Sequence, residues 1–233
     1  MVDTSMAMPV DPSRVKVPKA AGAVQPAKVL PEHLGSTFLD AKSRVREGWE
    51  HAHPARFCLR IAAEHEPELR LRFLESGMSV LLAEDLVPRF ANGRLLLAGM
   101  FAVPHKHDSD RLIVDRRPAN QGEHRLHWSE LPYGPMLTRL HLQPHEVLRG
   151  TGDDLRTFFY QLENAPEAIT RNAFGRGFDG QEYERFGGLP GVRYRLALRV
   201  VAMGDTNAVD VAQATHRALL QRHGCLTPAE ELV

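Results

Sequence analysis

The stretch "RGTGDDLRTFFYQL", from Arg149 to Leu162, places two acids a few residues ahead of three aromatic side chains. A carboxylate at the end of a strand, facing a cleft, is a common ligand for Mg²⁺, a cation that prefers oxygen. Asp154 fits that description, and the flanking Gly150 and Gly152 would let backbone or ligand approach closely. The Gly-Asp-Asp sequence equally fits a turn followed by a helix N-cap. The stretch alone therefore leaves a metal ligand and a structural turn both open.

The composition is ordinary for a soluble globular protein, with 43% hydrophobic and 25% charged residues in 233. Lysines and arginines balance the acids at 29 each, whereas domains that bind nucleic acid are usually basic. The neutral charge gives no support to nucleic-acid binding, although a local groove could still be basic. The two cysteines, Cys58 and Cys225, form no CxxC pair, which excludes a disulfide framework and indicates a reducing compartment.

The amino-terminal segment 1–35 is rich in Pro, Ala and Val and lacks the continuous apolar core of a signal peptide. We predict a disordered lead or linker there. A transit peptide is the alternative, but Asp3 and Asp11 are acids and arginine is scarce. No apolar run reaches the roughly 18 residues of a membrane helix. We therefore expect an intracellular protein that makes no use of a membrane.

Apolar residues recur at helical spacing in three stretches, 36–52, 66–77 and 205–222. Asp205 or Thr206 would cap the third helix.

Strand signals lie between these helices. Asn92-Gly93 stands between two apolar runs and predicts a hairpin. Residues 110–115 and 192–203 have strand patterns, and the opening stretch fits a strand followed by a helix. This order of elements indicates an α+β or α/β fold and excludes all-α and all-β folds.

Three segments resemble, in one order, motifs of the reverse transcriptases, the RNA-directed DNA polymerases of retroelements. The first, "KHDSDRLIVDRRPAN" at 106–120, is similar to the fingers motif. Its pattern is an arginine, a short apolar strand, Asp-x-Arg, two residues and an asparagine. The matching positions are Arg111, 112–114, Asp115, Arg117 and Asn120.

The second segment, "DLRTFFYQL" at 154–162, resembles motif A, and its register selects Asp154 and not Asp153 as the metal-binding position. The third, "VAMGDTNAVDVAQ" at 201–213, is similar to motif B. Its matching positions are Gly204, Asn207, Ala208 and Gln213. Between the two, "APEAITRNAF" resembles the family segment that ends in Thr-Ala-Phe. The resemblance covers about 93–220.

The resemblance implies an α+β fold made of the fingers and an incomplete palm, preceded by N-terminal helices. The implied regions after the lead are a helical region at 36–90, a fingers-like hairpin and strand region at 91–147, and a partial palm at 148–233.

Roles in nucleotide binding follow from the same resemblance. Asp154 would coordinate one or both catalytic Mg²⁺ ions. Phe159 would lie beneath the incoming sugar and favour dNTP over rNTP, because its ring would clash with a 2′-OH. Arg111 would grip the triphosphate, for which a planar, permanently charged group is suited. Lys106 would be a second phosphate contact.

Motif B implies three further contacts. Met203 would pack near the nucleotide, Gly204 would let the chain pass close to nucleotide or template, and Asn207 would begin the helix beside the template base. Four further positions would be structural or lie on the template side: Asp115, Arg117, Asn120 and Gln213.

The sequence also departs from the family pattern. Ala202 and Val209 replace two motif B prolines, and Phe158 replaces a small residue of motif A. No Tyr-x-Asp-Asp of motif C occurs in the 233 residues. Two-metal catalysis needs carboxylates from both motifs. We therefore expect a fragment of an enzyme that transfers nucleotides from dNTP to a primer 3′ end on an RNA template. As it stands the chain would be inactive unless downstream sequence or a separate chain supplies motif C.

Two other functional classes stay open. A non-catalytic nucleic-acid-binding or interaction protein would use one basic face, formed by Arg111, Arg116, Arg117, Arg125 and Arg139. A metal enzyme could use the histidines of "HAH" at 51–53 or "HKH" at 105–107. Neither run has the HExxH motif or a Cys/His zinc spacing.

Overall fold

The structure is a computed structural model that describes residues 7–128, 131, 134–150, 152 and 154–227. The side chains of residues 136, 137 and 139 fall outside that description. Helices and strands are mixed. The helices are α1 (Pro26–Val29), α2 (Glu32–Leu39), α3 (Glu66–Glu75), α4 (Arg117–Gln121), α5 (Phe158–Gln161) and α6 (Ala208–Arg222). The strands are β1 (Ser79–Ala83), β2 (Gly99–Lys106), β3 (Ser109–Asp115), β4 (Ala173–Asp179) and β5 (Arg193–Leu198).

The described strands form two small antiparallel sheets. β2 and β3 make a hairpin with a register shift between Pro104 and Lys106. β1, β5 and β4 make a three-stranded sheet in that order. In the hairpin, Met100, Ala102, Leu112 and Val114 are buried on one face. The alternation of buried and open positions follows the period of two expected of a half-covered sheet.

The hydrophobic core is divided between two main clusters. The larger one joins α3, the hairpin and the three-stranded sheet, with Phe73 set edge-on against Phe174 at 6.0 Å between ring centroids. The second lies between α1, α2 and α6 and includes Phe38, Leu162 and Val201. The segment around α5 contacts both clusters, since Phe159 packs against each of them.

Residues 7–24 cross this core as an extended segment, here called the N-terminal strap. Val10 and Val15 are 1% and 2% exposed and belong to the larger cluster. Residues 7–35 therefore differ from the disordered lead predicted for 1–35. Apolar residues in this Pro-rich segment satisfy their backbone groups by pairing with the hairpin and α5 instead of forming long elements of their own.

The helix predicted at 36–52 is wrong in extent. α2 begins at Glu32 and ends at Leu39 because Asp40 starts a turn, accepting a hydrogen bond from the Ser43 amide at 3.1 Å. Trp49 lies in a separate short 3₁₀ turn, edge-on to Phe90. The prediction for 66–77 is confirmed by α3, which ends just before Gly77, whose φ is +71°.

The predicted hairpin at Asn92-Gly93 forms only a tight turn. Gly93 has a φ of +82°, and one isolated bridge joins Arg89 to Leu95. The extended hairpin is β2–β3 instead. The strand predictions for 110–115 and 192–203 correspond to β3 and β5.

No strand precedes α5 in the described part of 140–157, so the strand expected ahead of Asp154 is absent there. The apolar residues of this segment are open to solvent: Val147, Leu148 and Leu155 are 76%, 60% and 45% exposed. A strand needs a neighbour for its backbone groups, and no described strand pairs with this segment. Asp154 therefore lies in an exposed loop.

Replacement of Phe73, which is 1% exposed, tests the larger cluster. Phe73→Ala should lower the free energy of unfolding by about 3–5 kcal/mol, because it leaves a cavity and removes the contact with Phe174. Urea unfolding followed by tryptophan fluorescence measures the change. Leu189→Ala is the control, since Leu189 is 59% exposed and should change stability by less than about 0.5 kcal/mol. Equal effects of the two substitutions would contradict this core assignment.

Candidate nucleotide and nucleic-acid site

The fingers-like and motif B-like segments lie side by side and share backbone and side-chain hydrogen bonds. The Asn120 side chain donates from Nδ2 to the Gly204 carbonyl at 2.8 Å, and its Oδ1 accepts from the Thr206 amide at 3.2 Å. The Val114 amide donates to the Met203 carbonyl at 3.3 Å. Two segments that the sequence separates by some eighty residues therefore form one junction at the start of α6.

Gly204 is required at this junction by its own backbone. Its φ is +118°, and a Cβ there would overlap the carbonyl oxygen of Val114. The close approach at Gly204 in this structure is to β3, whereas its predicted approach to nucleotide or template stays a prediction. Gly150 and Gly152, in contrast, have open space around them.

A buried arginine stands behind the junction. Arg116 is 2% exposed and donates from Nη1 to Asp205 and from Nη2 to Glu123 at 3.1 Å. The same Oε1 of Glu123 accepts from Arg171 Nε at 3.3 Å. Arg171 in turn lies over the Trp49 ring at 4.4 Å, a cation–π contact.

The charges of this network hold one another in their ionised forms. Burial alone would raise the pKa of Glu123, but the adjacent Arg116 and Arg171 guanidinium groups keep it below its ordinary value. Burial also acts against a charged Arg116, yet Asp205 and Glu123 raise its pKa.

Asp115 and Arg117 form a second pair at the end of β3. Arg117 donates from Nε and Nη2 to the two carboxylate oxygens at 2.8 and 2.7 Å, and the Cys58 amide donates to Oδ2 at 2.6 Å. Burial works to raise the pKa of Asp115, but the Arg117 side chain and the backbone amides of Cys58 and Arg117 lower it overall. The pair anchors α4, whose Asn120 reaches the junction.

Asn207 occupies the N-cap of α6, where Asp205 or Thr206 was predicted, and its side chain caps no amide of α6. Instead Nδ2 donates to the His124 carbonyl and Oδ1 accepts from the Leu126 amide, both at 3.0 Å. Asp205 accepts from the Asn207 amide at 2.7 Å. The asparagine therefore fastens the chain after α4 to α6. Gln213 is half-buried further along α6, without a described hydrogen bond to the junction.

The aromatic side chains of α5 lie against the core. Tyr160 is 6% exposed, its hydroxyl is 3.4 Å from the Leu112 carbonyl, and burial raises its pKa to about 12. Phe158 contacts His216 of α6 at 5.7 Å between ring centroids. Phe159 is half-buried between the two clusters. Its ring thus has a packing role independent of any sugar.

Lys106 and Arg111 project from the β2–β3 hairpin and are both exposed. Arg111 Nη2 is 3.3 Å from His105 Nδ1, across the register shift. Neither side chain forms an ion pair with the described residues. Both remain free to meet an anionic group.

The predicted metal position has a single described carboxylate. Asp154 is exposed, and Asp153 lies outside the described residues. Among the residues that the structure does describe, no three His, Cys, Asp or Glu side chains come together as a metal site. These residues alone do not fit a two-metal centre.

The structure thus brings together Asp115, Arg117, Asn120, Met203, Gly204 and Asn207, while no described hydrogen bond or ion pair links Lys106, Arg111 or Asp154 to them. The grooves beside Phe73 and beside Trp49 contain none of the predicted nucleotide-binding residues. Sequence reasoning missed Glu123, Arg171 and Asp205 as one network, since separated acids and arginines carry no periodic signal.

The basic face predicted for a non-catalytic nucleic-acid-binding protein is wrong at Arg116, because this side chain is buried. Arg125 is exposed, and the side chain of Arg139 is outside the described part.

No protein-family model matches the chain, and no curated protein matches it. The solved structures to which the chain is similar include two from foamy viruses. One is a protease–reverse transcriptase in complex with double-stranded DNA, with a TM-score of 0.47 and 13% identity; the match covers 97% of this chain and 30% of that one. The other is the prototype foamy virus protease–reverse transcriptase, with a TM-score of 0.42 and 15% identity, over 82% of this chain and 25% of that one. The chain spans less than a third of the length of either.

The helices within the described ranges are all too short or too polar to cross a membrane.

Gly204→Ala tests the junction. A left-handed backbone at a non-glycine residue costs about 1–3 kcal/mol by itself. Gly204→Ala should destabilise the protein by more than this, because it adds a steric overlap with Val114. Gly48→Ala is the matched control: its φ is +66°, but nothing lies within 4 Å of its Cβ position. Thermal unfolding of both variants measures the difference, and an equal loss would show that the Val114 contact is unimportant.

Arg116→Ala tests the buried network and its pH dependence. It should cost about 3–5 kcal/mol at pH 7, because Glu123 and Asp205 lose their shared partner. In the native protein the lowered pKa of Glu123 contributes stability that is present above about 4.5 and is lost as the pH falls below it. In the variant Glu123 would titrate at higher pH, so the difference from the native protein should shrink between pH 7 and pH 4.5.

Urea unfolding at several pH values measures this trend. Arg185→Ala removes an exposed pair with Glu75 and should change stability by less than about 1 kcal/mol at every pH. A cost for Arg116→Ala that stayed constant with pH would contradict the charge network.

Proposed function

We propose that the chain is part of an RNA-directed DNA polymerase, the part that binds the incoming dNTP and the primer–template. The observation that carries the proposal is the junction at α6. The Asn120 side chain bonds the backbone of both Gly204 and Thr206, so Asn120 of the fingers pattern and Gly204 of the motif B pattern meet through a specific hydrogen bond. An accidental match of short motifs gives no reason for such contacts.

The proposed roles divide between the hairpin and the junction. Arg111 and Lys106, exposed and without carboxylate partners among the described residues, would bind the triphosphate. Met203 and Gly204 would form the wall beside the nascent base pair, and Asn207, which is 2% exposed, would hold the start of α6 behind them. Phe159 would limit the space at the sugar 2′ position, and its packing between the two clusters would hold the ring in place.

Nucleotidyl transfer itself needs more carboxylates than the described residues bring together. Asp154 would supply one oxygen ligand to Mg²⁺, which in such enzymes neutralises developing phosphate charge. We propose that the chain binds substrates and that chemistry requires a further acidic pair.

The second candidate function is a non-catalytic nucleic-acid-binding protein, which the exposed Arg111, Arg117 and Arg125 also support.

A dNTP-dependent complex distinguishes these two functions. A labelled DNA primer on an RNA template should bind the chain, and the affinity should fall as the salt concentration rises. Fluorescence anisotropy measures this binding. In buffer with Mg²⁺, the dNTP complementary to the next template base should slow dissociation, whereas a mismatched dNTP should not. Arg111→Ala should abolish the dNTP effect while weakening primer–template binding by less than about tenfold.

Lys28→Glu is the control, since Lys28 is an exposed cation of α1 outside the proposed site. It should leave the dNTP effect unchanged. Salt-dependent binding without any dNTP effect would favour the non-catalytic candidate, and no binding to RNA or DNA would exclude both.

A further inference from the structure

The N-terminal strap covers both edges of the β2–β3 hairpin. At one edge Met8 exchanges backbone hydrogen bonds with Ala102 at 2.8 and 3.0 Å. At the other the Asp110 amide donates to the Arg14 carbonyl at 3.0 Å, next to a bridge between Val15 and Asp110. Hairpin amides at two positions thus depend on the strap for their acceptors.

The Arg14 side chain fastens the second contact. Its Nε and Nη2 donate to Asp110 Oδ2 and Oδ1 at 2.8 and 3.1 Å, a bidentate pair. Nη2 also lies 3.4 Å from the His107 carbonyl in the hairpin turn. The Asp110 side chain is only 3% exposed, so the pair with Arg14 supplies hydrogen bonds that water does not. Asp110 raises the pKa of Arg14 through the same bond.

This contact is made at the turn that carries both proposed phosphate ligands. Arg111 directly follows Asp110, and Lys106 begins the turn. The register shift between Pro104 and Lys106 brings His105 to within 3.3 Å of the Arg111 guanidinium. A two-stranded hairpin is marginally stable by itself. The orientation of Arg111 therefore depends on contacts made from outside the hairpin.

The other end of the strap is bound to α5. The Gly22 amide donates to the Tyr160 carbonyl at 2.9 Å, and the Val24 amide donates to the Gln161 carbonyl at 2.8 Å. One continuous segment therefore connects the hairpin turn to the helix that carries Phe159. It sets the distance between the two parts of the proposed nucleotide site.

We propose that Arg14 is a positioning residue for triphosphate binding: through Asp110 it holds the hairpin turn so that Lys106 and Arg111 are presented together. The strap pairs with each hairpin edge through one isolated bridge. This role rests on the proposed function of Lys106 and Arg111 as phosphate ligands. The attachment of the hairpin by Arg14 does not depend on that proposed function.

Hydrogen exchange of the whole chain tests the attachment. In Arg14→Ala the amides of Ala102, Asp110 and the rest of β3 should exchange at least about tenfold faster, since a charge-assisted pair is lost. Exchange in β5 should not change. Lys19→Ala is the matched control, because Lys19 is an exposed strap cation without an ion pair among the described residues, and it should leave the hairpin unchanged.

Swapping the charges of Arg14 and Asp110 distinguishes loss of this ion pair from a general loss of stability. Arg14→Asp and Asp110→Arg should each accelerate hairpin exchange, and the double variant should restore protection. The attachment is refuted if Arg14→Ala leaves the hairpin unaffected, if it accelerates β5 equally, or if the double variant shows no recovery.

Titration with a fluorescent dNTP tests the positioning role. Arg14→Ala should weaken binding about tenfold, whereas Lys106→Ala should weaken it without altering exchange. Faster hairpin exchange with unchanged dNTP affinity would overturn the positioning role. If the native chain binds no dNTP, the proposed function and the positioning role both fail, while the exchange results still decide whether Arg14 holds the hairpin.

Discussion

The buried guanidinium group of Arg116 is the constraint around which the candidate site is arranged. A permanent charge with 2% exposure requires carboxylates at fixed positions, and Asp205 and Glu123 supply them. Asp205 also receives the Asn207 amide, which fixes the chain entering α6. Glu123 extends the network to Arg171 and, through its stacking, to Trp49. Four separated segments are thereby held around one charge.

Elements with a strong local pattern could be predicted from the sequence. The short apolar run within 110–115 and the helical spacing of 66–77 have few alternative structures, and both elements form as β3 and α3. The fingers-like pattern also placed Asp115 two residues before Arg117, and the two side chains form an ion pair. Local signals suffice here because the partners are two residues apart.

Features that depend on distant partners could not be predicted. The strap looks disordered in sequence because its backbone acceptors and donors lie far along the chain, at Ala102, Asp110 and Tyr160. Arg116 looks like a surface cation, since nothing in the local sequence shows that Asp205 will reach it. The prediction at Asp154 was wrong for the opposite reason. The sequence indicated a strand before this residue, but no described strand lies beside the segment to pair with its backbone groups.

The strap also affects how the chain can be assembled as it is synthesised. Residues 8–24 leave the ribosome well before partners such as Tyr160, and before Arg199, which lies 3.4 Å from the Ala21 carbonyl. Contacts across such separations are entropically slow to close. During translation the strap therefore lacks these partners until residues 160–199 have emerged. Until then Val10 and Val15 are apolar surface available to a chaperone.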